Sequence, residues 1–189
     1  MGDPAIRTRR WTRQEYDRLI SLGVFDEDEP IELILGRLIV AEPQHTPHAT
    51  AIDLAAEGLR AAFGEGWRVR VQLPLALGHD SEPEPDIAVV RGAARDFLGA
   101  HPSTAALVVE VADWSLRLDR GPKAWIYARA QIADYWIVNL ADRVVEVHRE
   151  PRNKGHRWTY RSLTVARPGE QLTPLATPSA RIPVDDLLP

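Results

Sequence analysis

The chain of 189 residues contains no cysteine. That absence removes disulfide staples, thiolate metal ligands and cysteine nucleophiles together, and points to a cytoplasmic setting. No segment approaches the roughly 20 apolar residues that a membrane span needs. The charged stretch Met1 to Arg10 is not followed by the apolar centre of a secretion signal. A net charge of −4 argues against a basic coat, so any contact with nucleic acid falls to local positive patches. There is no Gly-rich phosphate cradle and no Gly-x-Ser-x-Gly elbow, which sets aside nucleotide-driven and serine-hydrolase mechanisms. His45 and His48 are separated by Pro47, and His45 precedes the helix, so helical zinc spacing is also missing.

What is present is 44% hydrophobic and 26% charged residues, enough apolar side chain for one real core and too little bias for disorder. We expect one domain, 1–189, with an N-terminal helix and hairpin over 10–42, a core over 46–140 and a C-terminal β extension over 141–189. Thr12-Arg13-Gln14-Glu15 is a capping-box pattern opening a short helix that Gly23 can end. Pro30 to Val40 reads as two β-rich arms around Gly36. Thr46 as N-cap and Pro47 at the first helical position start a helix with the stripe Ile52, Ala55, Ala56, Leu59 and Phe63, closed by Gly64. Trp67 to Leu73 alternates strictly, predicting a strand with one polar face that carries Gln72. Two further strands, Tyr135 to Leu140 and Arg143 to His148, flank a turn at Ala141-Asp142, and a last strand from Arg157 to Leu163 follows a basic loop. An α/β or α+β sheet with mixed strand directions follows from this order.

The informative anomaly lies in Asp86-Ile87-Ala88-Val89-Val90 and Leu107-Val108-Val109-Glu110-Val111. Both are near-continuous aliphatic runs, as in central strands covered on both faces, yet each holds one acid. A carboxylate taken out of water costs several kcal/mol unless it meets a cation or hydrogen-bond donors. Two such acids ask for a metal, and Lys123 opens the helical segment Pro122 to Ala128 that follows the second strand. Asp, Glu and Lys at one end of a sheet are the parts needed for metal-assisted phosphodiester hydrolysis.

These residues resemble the PD-(D/E)XK restriction-endonuclease-like superfamily. More narrowly, Pro85-Asp86 to Val90, Val109-Glu110-Val111-Ala112-Asp113, Asp119-Arg120 to Lys123, Tyr127-Ala128 and Asp134 to Val138 are similar to a large bacterial branch of restriction-endonuclease-like proteins. The similarity extends upstream to Ile31 to Ile34, Gly36 and His48. It implies a central mixed sheet flanked by helices, with added N- and C-terminal β-hairpins. The lysine expected two residues after the Glu is absent, since Glu110 is followed by Val111 and Ala112, and the branch carries it in the next helix, where Lys123 stands. Where the branch it resembles usually carries a small polar residue, this chain has Trp114. The resemblance implies that Asp86 and Glu110, with the Val111 carbonyl, hold Mg²⁺ (or Mn²⁺) and that Lys123 acts on water or phosphate, with Glu32 as an extra ligand or water-orienting acid. The implied partner is DNA. A homodimer is a natural assembly, because two sites cut two strands simply. The alternative is a catalytically weak or inactive member acting as a nucleic-acid-binding or protein-interaction module.

Taken one at a time, the same residues have blander readings. Asp86 caps a turn after Pro85, Glu110 is neutralised by an arginine, Lys123 snorkels, and Tyr127 packs over the lysine stem. His48 shares the Ile52 stripe, which favours a hydrogen-bonded core histidine, and Glu32 stands between solvent and site. The basic loop His148 to Arg157 and the arm of Arg7, Arg9, Arg10 and Arg13 offer phosphate contacts or simply solvated charge.

Overall fold

The computed structural model describes residues 8–26, 29–41 and 45–189, so Arg7 and, of segment 10–42, residues 27, 28 and 42 lie outside the described residues. The chain runs α1 (Arg13–Ser21), the hairpin β1 (Ile31–Ile34) and β2 (Arg37–Val40), α2 (Thr46–Phe63), β3 (Trp67–Val71), β4 (Ile87–Arg91) and β5 (Leu107–Ala112). It continues through α3 (Leu116–Leu118), a π-helical turn (Asp119–Lys123) and α4 (Ala124–Arg129) into β6 (Asp134–Asn139), β7 (Val144–Lys154) and β8 (Arg157–Ala166). The short pair β9 (Gln171–Leu172) and β10 (Ile182–Pro183) and a 3-10 turn (Val184–Leu187) close it.

A six-stranded sheet in the order β3-β4-β5-β6-β7-β8 forms the centre. Only β5 and β6 run parallel. A parallel pair needs a crossover, which the helical segment from Leu116 to Arg129 supplies on one face of the sheet. On the opposite face α2 buries the predicted stripe of Ile52, Ala55, Ala56, Leu59 and Phe63 against Val89, Val109 and Val111. On the crossover face Ile126 and Ala128 pack with Ala88, Val108 and Ile137. Each fully buried Leu or Ile here contributes on the order of 1.5–3 kcal/mol. Strand alternation fixes which way the anomalous acid goes: Val109 and Val111 face α2, so Glu110 faces the crossover helix.

Several local expectations are realised. Thr12 and Glu15 form a reciprocal capping box, and Gly23, at φ 63°, ends α1 with the paired Gly23 N–H to Ile20 and Val24 N–H to Leu19 bonds of a Schellman motif. Leu35 and Gly36, both at positive φ, form the two-residue hairpin turn.

Others need correction. The N-cap of α2 is His45, one residue earlier than Thr46, and it makes no side-chain cap. The crossover helix begins at Leu116 rather than at Pro122. The stretch from His148 to Arg157 is no loop: it belongs to β7 and β8, a long hairpin with only Gly155 and His156 at its turn. Arg70 is buried and stacks over Phe97, so the polar face of β3 is not wet there, while Gln72 leaves the strand at φ 49°.

Glu82 holds the N-terminal hairpin through paired backbone bonds with Leu33. Burial, aided by Asp17, pushes its carboxyl up to about 7 although the Arg13 guanidinium lies 3.8 Å away. A carboxyl raised in the fold favours the folded state most below its ordinary pKa of 4.5, and that advantage is lost as pH rises through about 7. Glu82→Gln is therefore expected to raise the melting temperature at pH 8 and to lose that advantage at pH 5; an equal effect at both pH values would contradict the sign.

Candidate active site

Asp86 stands where β4 begins and where β5 loses its strand partner. The β4–β5 register ends with Ile87 opposite Val109, so the N–H of Val111 is left for the Asp86 carboxylate, to which it donates at 2.7 Å. In extended backbone a residue's N–H and C=O leave by the same strand edge, so the Val111 carbonyl also faces the Asp86 side. The Asp86 N–H in turn lies 3.4 Å from Glu110 Oε2. The two acids thus meet across adjacent strand ends.

Lys123 reaches them from the crossover helix. Pro122 lacks an N–H, and its ring would clash with the Leu118 carbonyl in a regular α-turn; the chain widens instead, with the Ala124 N–H bonding to Asp119. Lys123 Nζ then lies 3.1 Å from Glu110 Oε1 and 3.5 Å from Glu32 Oε1, and Glu32 projects from β1. The other oxygen of Glu32 is buried without a hydrogen-bond partner. Tyr127, one turn beyond Lys123, donates its hydroxyl to Glu110 Oε1 at 2.6 Å. His48 Nε2 lies 3.3 Å from Asp86 Oδ2. Asp119 is buried and accepts from the Ser115 hydroxyl at 2.6 Å.

Glu32, Asp86, Glu110, Asp119 and Lys123 line one cleft of about 370 Å³, with His48, Gln72 and Trp114 among its walls. The structure therefore brings together all four acid and lysine candidates from the sequence, and the Val111 backbone. It adds Asp119, which sequence reasoning passed over, and gives Tyr127 a hydrogen bond to Glu110 rather than mere packing. Both were accessible as the i−4 and i+4 neighbours of Lys123 on one helix face. His48 bonds at the cleft and not within the apolar stripe.

The local charges are unbalanced. Burial raises Glu110 well above the ordinary carboxyl range, with Lys123 opposing and Asp86 adding to the rise. Burial likewise lifts Asp119 to about 6 against the pull of Lys123 and Ser115. For Lys123 burial alone would lower the ammonium, but Glu110, Glu32 and Asp119 together overcome it and hold it above its ordinary value. His48 follows the same pattern, with Asp86 outweighing burial.

Several other basic groups are engaged elsewhere. Arg120 makes a two-point ion pair with Glu146 at 2.6 and 2.9 Å, Arg13 donates to the Gly78 carbonyl, and Arg9 pairs with Glu15. Arg149 is tied to Asp134. Among the described residues Glu110 has Lys123 as its ion-pair partner and no arginine.

The comparisons bear on this geometry. The sequence pattern of the Uma2 family, described as "Putative restriction endonuclease", matches residues 13–185. The chain belongs to the Uma2 family. A solved structure of a "putative nuclease belonging to DUF820" from Anabaena variabilis is similar to this Uma2 chain with a TM-score of 0.71 at 15% identity, covering 89% of this chain and 96% of that one. No curated protein matches it. The fold is restriction-endonuclease-like.

Oxygen donors of two carboxylates and a carbonyl are what a hard divalent cation takes. Four buried carboxyls face one buried ammonium, and Glu32 retains an unpartnered oxygen, so the cleft has negative charge to spare. These residues fit Mg²⁺ by charge and donor type. Among the described residues no three acid or histidine side chains form a closed metal cage, and Lys123 lies between Glu32 and Glu110.

Proposed function

We propose that this Uma2 protein is a divalent-metal-dependent endonuclease that hydrolyses phosphodiester bonds of DNA. The observation that carries the reading is the meeting of Asp86 and Glu110 at adjacent strand ends beneath a cleft, with the Lys123 ammonium 3.1 Å from Glu110. Membership of a nuclease-like family supports it at the coarser level.

Asp86, Glu110 and the Val111 carbonyl would hold Mg²⁺ or Mn²⁺. When bound, the ion neutralises the scissile phosphate and makes an attacking water easier to deprotonate. The protein supplies the rest. Val111 N–H and His48 fix one oxygen of Asp86, and Tyr127 fixes one oxygen of Glu110, so both carboxylates are oriented before substrate arrives. Lys123, set 3.1 Å from Glu110 and 3.5 Å from Glu32 in surroundings that favour its ammonium, is placed to offset the charge that grows on the phosphoryl oxygens. The unpartnered Glu32 oxygen accepts a proton from the attacking water, the P–O ester bond breaks, and the departing oxygen takes its proton from solvent water.

Supercoiled plasmid incubated with purified protein is expected to become nicked or linear in Mg²⁺ or Mn²⁺ and to stay intact in EDTA. Plasmid left supercoiled and single-stranded DNA left uncut in both metals would overturn the reading. The ammonium seated among the acids favours a second reading, a nuclease-fold protein that binds without cutting. That reading expects DNA affinity with no Mg²⁺-linked rise in melting temperature.

A further inference from the structure

The walls of the cleft differ from its floor. The floor is ionic, but Ile39 and Val40 of β2, Trp114 in the bend after β5 and Leu118 of the crossover give the walls apolar surface, beside Gln72, Glu84 and Ser115. Trp114 is 53% exposed and Val40 55% exposed, and both line the cleft. Among the described lining residues the cations are Lys123 and His48, and both are already engaged with acids on the floor. A protein that grips paired DNA does so with several Lys and Arg contacts to successive phosphates. These walls offer aromatic and aliphatic surface instead, in a space of about 370 Å³, which suits a single small ligand.

Resting on the nuclease reading above, we propose that the cleft takes one unpaired nucleotide: its base stacks on the Trp114 indole against Ile39 and Val40, and its phosphate reaches down to the Lys123 ammonium beside Asp86 and Glu110. The substrate class is then single-stranded or locally unpaired DNA rather than uninterrupted duplex. Every base has a π-face, so such stacking tolerates sequence and is worth roughly 5- to 150-fold in binding per base. A tryptophan held out in solvent beside the acids has a use in this arrangement that a small polar residue there would not supply.

The test uses the full chain and three labelled DNAs of one sequence: single-stranded, fully paired, and paired with a short mismatched bubble. In Mn²⁺ the single strand and the bubble should be cut at least about 10-fold faster than the duplex. Trp114→Ala should remove most of that preference through KM, whereas Trp114→Phe, which keeps an aromatic face, should retain it. Equal rates on all three DNAs, or a preference unchanged in Trp114→Ala, would overturn the proposal while leaving the nuclease intact. Fluorescence anisotropy of the single strand in EDTA separates the two ideas. Binding weakened roughly 5-fold or more by Trp114→Ala without cleavage by the wild type sustains the stacking site and sinks the nuclease. Binding that ignores Trp114 sinks the stacking site.

Discussion

Replacing Lys123 by methionine is expected to slow cleavage about 100- to 1,000-fold, the scale for removing one preorganised group from a developing charge. The same substitution should lower stability at neutral pH by about 3–5 kcal/mol, because it strips the cation from a buried cluster. The residue is 6% exposed and lies within 3.5 Å of two carboxylates, while Glu110 is 2% exposed. Methionine keeps the length of the stem, so little packing is lost and the effect reports charge. Two readouts distinguish this from a general folding defect. The stability penalty should shrink as pH is lowered through about 6, where Asp119 takes up its proton and the cluster needs less positive charge. The double variant Lys123→Met with Glu110→Gln should recover part of the stability and none of the activity. A methionine variant as stable as the parent at pH 7 would show that the ammonium does not neutralise these acids.

The parts of this site that were legible in sequence are those whose signal is local and improbable. An acid inside an aliphatic run has few innocent explanations, which is why Asp86 and Glu110 stood out. Alternation then determines that Glu110 faces the crossover helix, a fact readable once Val109 and Val111 are assigned to the other face. Asp119 stands four residues before Lys123, but that spacing puts the two on one face only if the helix already includes Asp119. Proline at position 122 reads as the start of a helix, since its missing N–H costs least there. The chain instead absorbs Pro122 within a widened turn, so the helix starts at Leu116 and carries Asp119 onto the face of Lys123. The stretch from His148 to Lys154 reads as part of a loop because it is rich in charged side chains and Gly155 follows. Its backbone nevertheless pairs residue for residue with β8, for example Arg152 with Thr159 and Asn153 with Trp158. Charge describes the side chain's solvent, and a hairpin arm needs only backbone pairing. Arg70 shows the converse, because a polar letter in an alternating strand ends up buried under Phe97.

Asp134→Ala is expected to cost about 3–5 kcal/mol, a large share of the roughly 5–15 kcal/mol available to a domain. Asp134 opens β6, has no solvent exposure and gathers three separate parts of the chain. Its Oδ1 accepts from the Trp136 indole at 2.8 Å and from Arg149 Nε of β7 at 2.8 Å. Its Oδ2 accepts from the backbone N–H of Leu175 at 2.8 Å, in the segment between β9 and β10, and from Arg149 Nη2 at 3.3 Å. Arg149 Nη2 also donates to the Thr173 carbonyl at 2.7 Å, closing a loop of bonds between the sheet and the C-terminal segment. Alanine would leave a buried indole N–H and a backbone N–H unmatched and a half-buried guanidinium without its anion, each costly in a low dielectric. Asp134→Asn keeps an acceptor but loses the charge, so it should fall between parent and alanine. In urea the midpoint should drop for both variants with an unchanged slope and one transition, as for a C-terminal β extension that folds together with the core. A second transition, or a slope reduced in Asp134→Ala, would instead mean that residues beyond β8 unfold on their own and that the chain is not a single cooperative unit.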